Sequence, residues 1–182
     1  MSSIRWGIIG PGNIANRFAD GLKEARSGEL VAIASTNEGR RKSFGDKYNI
    51  DSTLRFSSYD ELVESSDIDA IYISTPHTLH AEWTIKAASR GKHVLCEKPG
   101  AVNLKEGKQV IQAVQEAGVF YMEGFMYRCH PQIKTLLKLI KEKHIGEIIS
   151  IKSSFGFDTG KTIPKSRLFN KELAGGAMLD VG

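Results

Sequence analysis

The sequence predicts an α/β fold built on a doubly wound parallel sheet of the Rossmann type. Short apolar runs alternate with amphipathic stretches along the first two thirds of the chain, which is the pattern of βαβ units. Residues 4–10 and 70–74 are nearly continuous in apolar side chains, as expected for strands that are buried on both faces. A glycine-rich turn joins the first of these runs to an amphipathic stretch, which is typical of a dinucleotide-binding unit.

Six strands and the helices between them follow from this pattern. The strands are predicted at residues 4–10, 30–35, 54–56, 70–74, 93–96 and 119–122. Three helices are predicted from apolar residues at helical spacing, and each stripe is expected to face the sheet. These stripes are Ile14, Phe18 and Leu22; Leu79, Trp83 and Ala87; and Leu104, Gly107, Ile111 and Val114. Gly91 and Gly118 are expected to end the second and third of these helices, because glycine adopts the left-handed conformation at little cost.

The pattern changes after residue 122. Pro131 is expected to begin a lysine-rich amphipathic helix that Gly146 closes, and residues 147–157 predict a strand. One helix and one strand are too few to form a core. We therefore interpret residues 1–122 as a nucleotide-binding domain and residues 123–182 as the beginning of a second domain, inside which the chain is expected to stop.

Composition limits the classes of protein that need to be considered. The 182 residues contain no apolar run long enough to cross a bilayer, and the first six residues lack the layout of a signal peptide, so we expect a cytoplasmic protein. The formal net charge of +4 comes from scattered lysines rather than a basic run, which suits an anionic cofactor or substrate better than nucleic acid. Cys96 and Cys129 match neither metal-ligand nor redox-pair spacing, so we expect reduced, structural thiols and no metal site.

The turn after the first predicted strand has the pattern G-x-G-x-x-G/A. Gly10 allows the tight turn, Gly12 lets the backbone approach a pyrophosphate, and Ala15 permits close packing of helix on sheet. Asn13 and Ile14 begin the following helix, whose free N–H groups and partial positive charge favour an anion. A purely structural turn can have the same sequence, but the strand before it and the helix after it favour dinucleotide binding.

The end of the second predicted strand indicates which dinucleotide binds. NAD-binding proteins usually carry an acidic residue there, whereas this chain has Ser35 and Thr36, followed by Arg40 and Arg41. Guanidinium groups bind phosphate in a bidentate manner, so the segment favours the 2′-phosphate of NADP(H). The alternative is that the arginines form a solvated first helical turn and that Glu38 reaches the ribose of NAD(H).

The fourth predicted strand is followed by Thr75, His77 and His80. Ligands of open parallel sheets lie outside the carboxyl ends of the strands, so this segment is expected to face the cofactor. The histidines do not have the i, i+4 spacing of a zinc pair. They are either cofactor contacts or residues that form hydrogen bonds within the first helical turn.

The fifth predicted strand is followed by Glu97, Lys98 and Pro99. A lysine at this position lies close to the expected nicotinamide and can polarise a substrate hydroxyl or carbonyl during hydride transfer. Pro99 restricts the backbone of Lys98 and can itself be cis. Glu97 can orient Lys98 or bind a cofactor hydroxyl. The alternative from these residues alone is a surface ion pair at the end of a strand.

Taken together, four motifs resemble the Gfo/Idh/MocA family of oxidoreductases, over the whole chain and in the same order. They are Gly10-x-Gly12-x-x-Ala15, Thr75-Pro76-His77-x-x-His80, Glu97-Lys98-Pro99, and the glycine-rich segment 174–182. The resemblance implies a Rossmann domain followed by an α/β domain with a mostly antiparallel open sheet. It also implies an NADP-dependent oxidoreductase that transfers hydride between the nicotinamide and a sugar, polyol or dihydrodiol.

The resemblance also implies roles for individual residues. Lys98 corresponds to the lysine that contacts substrate and nicotinamide ribose, and Asp180 to the aspartate that helps bind the substrate hydroxyl. The family's acid/base histidine or tyrosine would fall just past Gly182. Arg128 is expected near the substrate, with an interdomain salt bridge as the alternative.

Two other functions remain open at this stage. One is a non-catalytic NADP-binding regulator of the same fold, and the other is an NAD-dependent glycosidase, since some relatives cleave glycosidic bonds through transient oxidation. Open sheets commonly pair, so we expect a homo-oligomer formed through the second domain.

Overall fold

The computed structural model describes residues 3–156, 158, 160 and 168–180. Its centre is a parallel six-stranded sheet with the strand order β3-β2-β1-β4-β5-β6. The strands are β1 (Ile4–Ile9), β2 (Gly28–Ala34), β3 (Arg55–Phe56), β4 (Ala70–Ile73), β5 (His93–Cys96) and β6 (Tyr121–Glu123). This confirms the predicted doubly wound fold, with strand boundaries that differ from the predicted ones by at most two residues.

Helices connect the strands of the sheet, and within the described residues two more α-helices follow its last strand in the chain. They are α1 (Asn13–Lys23), α2 (Glu38–Lys47), α3 (Tyr59–Glu64), α4 (His80–Ser89), α5 (Leu104–Ala117), α6 (Pro131–Lys141) and the short α7 (Ala177–Asp180). Local sequence determines several of their ends. Asn37 and Asn103 cap α2 and α5 through their side chains, and Ser58 forms a capping box with Glu61 at the start of α3. Gly118 ends α5 in the left-handed conformation with φ +64°, as predicted.

The core lies on both faces of the sheet, because successive strand residues point in opposite directions. Ile9 and Ile73 pack with Trp83 and Ala87 of α4 on one face. Ile8 packs with α1 and α2 on the other face. The central strands are therefore buried on both faces, and their carboxyl ends meet at one edge where β1 and β4 lie side by side. This is the switch point at which open α/β sheets bind ligands.

The predicted orientation of α5 is wrong in part. Leu104 and Ile111, which were expected to face the sheet, are 74% and 48% exposed, whereas Val110 is buried. Helical periodicity identifies an apolar stripe but not the neighbour that covers it. The helix packs against α4 instead, and Val110 is its buried residue.

The predicted strand over residues 147–157 is also wrong within the described residues. Residues 147–156 have no regular secondary structure, Ile149 and Ile151 are 96% and 82% exposed, and residue 157 lies outside the described part. A strand requires a hydrogen-bonded neighbour, and none of the described strands pairs with this segment. The expected antiparallel sheet is thus not seen here.

The region after β6 contains the predicted helix α6, which begins at Pro131 and has no buried residue. It ends at Lys141 rather than near Gly146. The division into two domains near residue 122 stays a prediction, as do the homo-oligomer and the cytoplasmic location. Among the described residues, none of the helices combines the length and the apolar character needed to cross a membrane.

Candidate cofactor and substrate site

The glycine turn after β1 has the geometry that its sequence predicts. Gly10 adopts φ +88°, which side chains disfavour, and a Cβ added there would lie 3.1 Å from the carbonyl oxygen of Ser74. The Ser74 hydroxyl donates a hydrogen bond of 2.7 Å to the carbonyl oxygen of Gly10. The turn therefore packs directly against the segment that follows β4.

Gly12 leaves space where an anion would bind. It precedes α1 with φ −90°, and among the described residues no atom lies within 4 Å of its side-chain position and no side chain caps the helix. The first N–H groups of α1, including those of Asn13 and Ile14, thus lack a capping side chain, and the first turn contains no acidic residue. Ile14 is 39% exposed beside them. This arrangement fits a pyrophosphate.

The two arginines after β2 differ in their contacts. Arg41 donates a hydrogen bond of 2.6 Å to the carbonyl oxygen of Ser35, which ties its guanidinium to the backbone. Ser35 is buried, and its hydroxyl accepts a bond from the N–H of Asn37. Arg40 and Thr36 are exposed. Arg40 is therefore the better placed arginine for contact with a ligand.

Arg40 belongs to a cleft of about 380 Å³ between the glycine turn and α2. The cleft is lined by Pro11, Asn16, Asn37, Gly39, Arg40, Ser43, Phe44 and Lys47. The Lys47 ammonium donates a bond of 2.8 Å to Oδ1 of Asn16. Two cations with amide and hydroxyl groups suit a phosphate. Sequence reasoning missed Asn16 and Lys47, although Asn16 directly follows the glycine motif.

The segment after β4 is largely buried. The hydroxyl of Thr75 is buried and has no hydrogen-bond partner in the described part of the chain, so it can serve a bound ligand. His77 is 5% exposed, and its Nδ1 lies 3.2 Å from the carbonyl oxygen of Ala174. His80 is fully buried, and its ring nitrogens face the carbonyl oxygens of Thr75 and Pro99. Cofactor contact by these three residues stays a prediction.

Glu97 and Lys98 follow β5 at the same edge of the sheet. Both are half-buried, and the peptide bond between Lys98 and Pro99 is cis. Oε1 of Glu97 accepts a hydrogen bond from the hydroxyl of Tyr72. Lys98 follows β5, which lies next to β4 in the sheet. On its other side, β4 lies next to β1, the strand that leads into the glycine turn.

The remaining predicted site residues, Arg128 and Asp180, come from the region after β6. Arg128 is exposed on the short helical turn Met126–Cys129. Asp180 is the last residue of α7, and its side chain lies outside the described part of the structure. Their proximity to a substrate stays a prediction.

The cysteines differ in their surroundings. Both are free thiols, but Cys96 is buried at the end of β5, whereas Cys129 is exposed. Burial raises the pKa of Cys96 to about 12, so this thiol remains protonated and unreactive. A structural role is therefore supported for Cys96 and not for Cys129.

The strand order, the glycine turn and the open helix terminus define a Rossmann domain of the dinucleotide-binding class. Residues 4–125 match the family described as "Oxidoreductase family, NAD-binding Rossmann fold", GFO_IDH_MocA. The chain belongs to this family.

Relatives of known function are similar over nearly the whole chain. Identity is 36% with trans-1,2-dihydrobenzene-1,2-diol dehydrogenase of Xenopus tropicalis, over 98% of this chain and 53% of the relative. It is also 36% with D-xylose 1-dehydrogenase (NADP(+)) 2 of Haloferax volcanii, over 97% and 53%. A crystal structure of a 3-ketoreductase from Actinomadura kijaniata with NADP matches with a TM-score of 0.72 and 36% identity, over 80% of this chain and 46% of that one. The chain spans about half the length of the curated relatives it matches.

Proposed function

We propose that the protein is an NADP-dependent oxidoreductase that transfers a hydride between the nicotinamide and the carbinol or carbonyl carbon of a sugar, polyol or dihydrodiol. One observation carries this proposal: Lys98 follows β5 at the same sheet edge as the glycine turn and the unpartnered Thr75 hydroxyl. The dihydrodiol and D-xylose dehydrogenase activities of the relatives support this substrate class.

The residues that would hold the cofactor form a continuous path along this edge. Backbone N–H groups of Asn13 and Ile14 would bind the pyrophosphate at the start of α1, where Gly12 leaves open space for it. The hydroxyl of Thr75 would then serve the nicotinamide half, together with His77 or Glu97. When bound, the nicotinamide supplies the hydride acceptor or donor.

The region after β2 supports NADP rather than NAD. Arg40 and Lys47 give the cleft beside the glycine turn two positive charges, and Ser35 and Thr36 leave the end of β2 without a carboxylate. A 2′-phosphate would be neutralised there, whereas the 2′-hydroxyl of NAD would find no acidic acceptor at the strand end. NAD(H) remains the weaker alternative because Glu38 begins α2 nearby.

Lys98 is proposed to act on the substrate. Its ammonium would donate a hydrogen bond to the reacting oxygen, which polarises a carbonyl for reduction or stabilises the oxygen of a carbinol during oxidation. Asp180 and Arg128 would bind further substrate hydroxyls. The acid/base group that completes proton transfer is not assigned among the described residues.

The experiment that tests this function uses the native protein with NADP⁺ and a panel of aldoses, polyols, inositols and trans-dihydrodiols. The expected result is substrate-dependent formation of NADPH, with NAD⁺ a poorer acceptor. Tight NADP⁺ binding without hydride transfer over the whole panel would contradict it and favour a cofactor-sensing regulator. Release of free sugar from glycosides without net NADPH formation would instead favour a glycosidase.

A further inference from the structure

One peptide group, between Pro99 and Gly100, lies between two side chains that can carry opposite charges. Its carbonyl oxygen lies 2.7 Å from Nδ1 of His80 on α4. Its N–H donates a hydrogen bond of 2.8 Å to Oε1 of Glu123 on β6. The peptide directly follows Lys98-Pro99, so it belongs to the turn that carries the proposed catalytic lysine.

The other ring nitrogen of His80 also faces a carbonyl. Nε2 lies 2.9 Å from the carbonyl oxygen of Thr75, and the side chain has no exposed surface. A neutral imidazole has one N–H, so it can donate to only one of the two oxygens and turns a bare nitrogen to the other. Only the imidazolium, with both nitrogens protonated, donates to Thr75 and Pro99 at once.

A buried imidazolium needs a compensating charge, particularly because His80 begins α4, where the helix dipole disfavours a cation. Glu123 supplies a negative charge through the Pro99–Gly100 peptide. Its carboxylate polarises the N–H of Gly100, which makes the carbonyl oxygen of Pro99 a stronger acceptor for the imidazolium. The other titratable groups around the turn are His77, whose ring centroid lies 5.7 Å from that of His80, the adjacent Cys96, Glu97 and Lys98, and Tyr121, whose hydroxyl faces Gly100.

The packing of Gly100 holds the peptide against β6. Gly100 is buried, and a Cβ added there would overlap the hydroxyl of Tyr121. The peptide therefore lies close to the strand that carries Glu123, and the same turn lies close to α4 through His80. The imidazole ring of His80 thus connects the segment after β4, at Thr75, to the segment after β5, at Pro99.

We propose that His80 and Glu123 form a charge pair transmitted through the Pro99–Gly100 peptide, and that this pair positions Lys98 for reaction. His80 and Glu123 are positioning residues in this account, since neither needs to touch the substrate. The statement about Lys98 rests on the proposed oxidoreductase function. The statement about the charge pair does not, because it concerns hydrogen bonds within the chain.

The charge pair is tested by NMR of the native protein with ¹⁵N-labelled histidine, in which the His80→Gln variant identifies the His80 signals. The expected spectrum at neutral pH shows both ring nitrogens of His80 protonated. Glu123→Gln keeps an acceptor for Gly100 but removes the charge, and it should convert His80 to a form with one bare nitrogen. A bare nitrogen in the wild-type ring, or an unchanged ring in the Glu123 variant, would overturn the proposal.

The positioning role is tested by a double-mutant cycle on turnover, measured on the folded fraction of each variant. His80→Gln and Glu123→Gln should each lower kcat by roughly tenfold or more, and the double variant should lose little beyond either single one, because both break the same link. NADP⁺ affinity should change far less than kcat. Independent, multiplying losses, or a lower melting temperature with an unchanged kcat, would contradict a positioning role.

Two exposed residues away from the turn provide a matched control. His144→Gln and Glu116→Gln make the same chemical changes at exposed positions and should leave kcat unchanged. If the native protein showed no hydride transfer with any substrate, the proposed function would fail while the NMR result on His80 would still decide whether the charge pair exists.

Discussion

The hydroxyl of Tyr72 donates a hydrogen bond of 2.5 Å to Oε1 of Glu97, which connects the middle of β4 to the residue directly after β5. Tyr72 is 2% exposed, and its ring stacks on Phe18 of α1 at a centroid distance of 4.1 Å. Burial, and then the bond to Glu97, raise the pKa of the Tyr72 hydroxyl, so it remains a donor at physiological pH. Glu97, the neighbour of Lys98, is therefore held by a side chain on the face of the sheet that α1 covers.

Removing this hydroxyl should weaken both the fold and the site. Tyr72→Phe leaves the carboxylate of Glu97 without its buried donor, and we expect a loss of about 1.5–3 kcal/mol in the free energy of unfolding. Urea denaturation measures this loss. Glu97→Gln weakens the same bond from the other side. The double variant of Tyr72→Phe and Glu97→Gln should therefore be little less stable than Glu97→Gln alone. Fully additive losses would mean that Tyr72 and Glu97 act separately.

The two glycines of the first turn should respond differently to a methyl group. Gly10→Ala forces a side chain into φ +88° and against the Ser74 carbonyl, so we expect it to destabilise the fold by about 1–2 kcal/mol. Gly12→Ala has open space and an ordinary φ, so stability should change by less than about 0.5 kcal/mol. The Gly12 variant should nevertheless weaken NADPH binding by about tenfold or more, because its methyl group occupies the pyrophosphate space.

Thermal melts and fluorescence titrations with NADPH separate these effects. A Gly12→Ala protein that binds NADPH as tightly as the wild type would show that the pyrophosphate does not bind at the start of α1.

The two arginines after β2 provide a matched pair for cofactor preference. Arg40→Ala should raise the Kd for NADPH by about 10- to 100-fold, the loss expected for charge-assisted bonds to a phosphate, and leave the Kd for NADH within about twofold. Arg41→Ala removes a bond to the Ser35 carbonyl instead, so it should affect both cofactors alike. Equal losses for NADPH and NADH in the Arg40 variant would contradict a 2′-phosphate site.

A pH-dependent contribution to stability is expected from Asp69, which precedes β4. Hydrogen bonds from the side chain and backbone of Arg5 lower the pKa of Asp69 from 3.8 to about 2. Because the folded-state pKa is the lower one, the stabilisation is complete above the unfolded-state pKa of about 3.8 and is lost as the pH falls towards 2. Since both side chains are 39% exposed, solvent screening limits the effect to about 1 kcal/mol.

Asp69→Asn should therefore be less stable than the wild type at pH 6, with a difference that shrinks between pH 4 and pH 2. Asp67→Asn is the control, because Asp67 is 61% exposed and its contact with the same arginine is long, at 4.0 Å. A constant difference between wild type and Asp69→Asn across this pH range would show that the carboxylate is not paired in the folded state.

The sequence contained much of the information on the sheet and on the first turn. Alternating apolar runs and amphipathic stretches gave the parallel sheet, since parallel strands require helical crossovers. The conformation of Gly10 was predictable, because a tight turn between a strand and a helix requires a backbone conformation that favours glycine. Periodicity could not say that Leu104 and Ile111 remain exposed, because the partner of an apolar stripe is set by tertiary packing.

Other features depend on contacts between residues that are distant in the chain. Glu123 bonds to Gly100 across 23 positions, and Tyr72 bonds to Glu97 across 25. No local pattern marks such pairs. Lys47 was missed for the same reason, since its place beside the glycine turn follows from the packing of α2.

The central claim is that Lys98 acts on the substrate at the carboxyl edge of the sheet, and the most direct measurement is the turnover of Lys98→Ala in the native protein with its best substrate. Lys105→Ala, at an exposed position near the start of α5, is the matched control. We expect kcat to fall by about 100-fold or more in the Lys98 variant, as for loss of a hydrogen-bond donor to the charge that develops on the reacting oxygen, with NADPH affinity within a few fold of the wild type and the control unaffected. Normal turnover by Lys98→Ala would contradict the account.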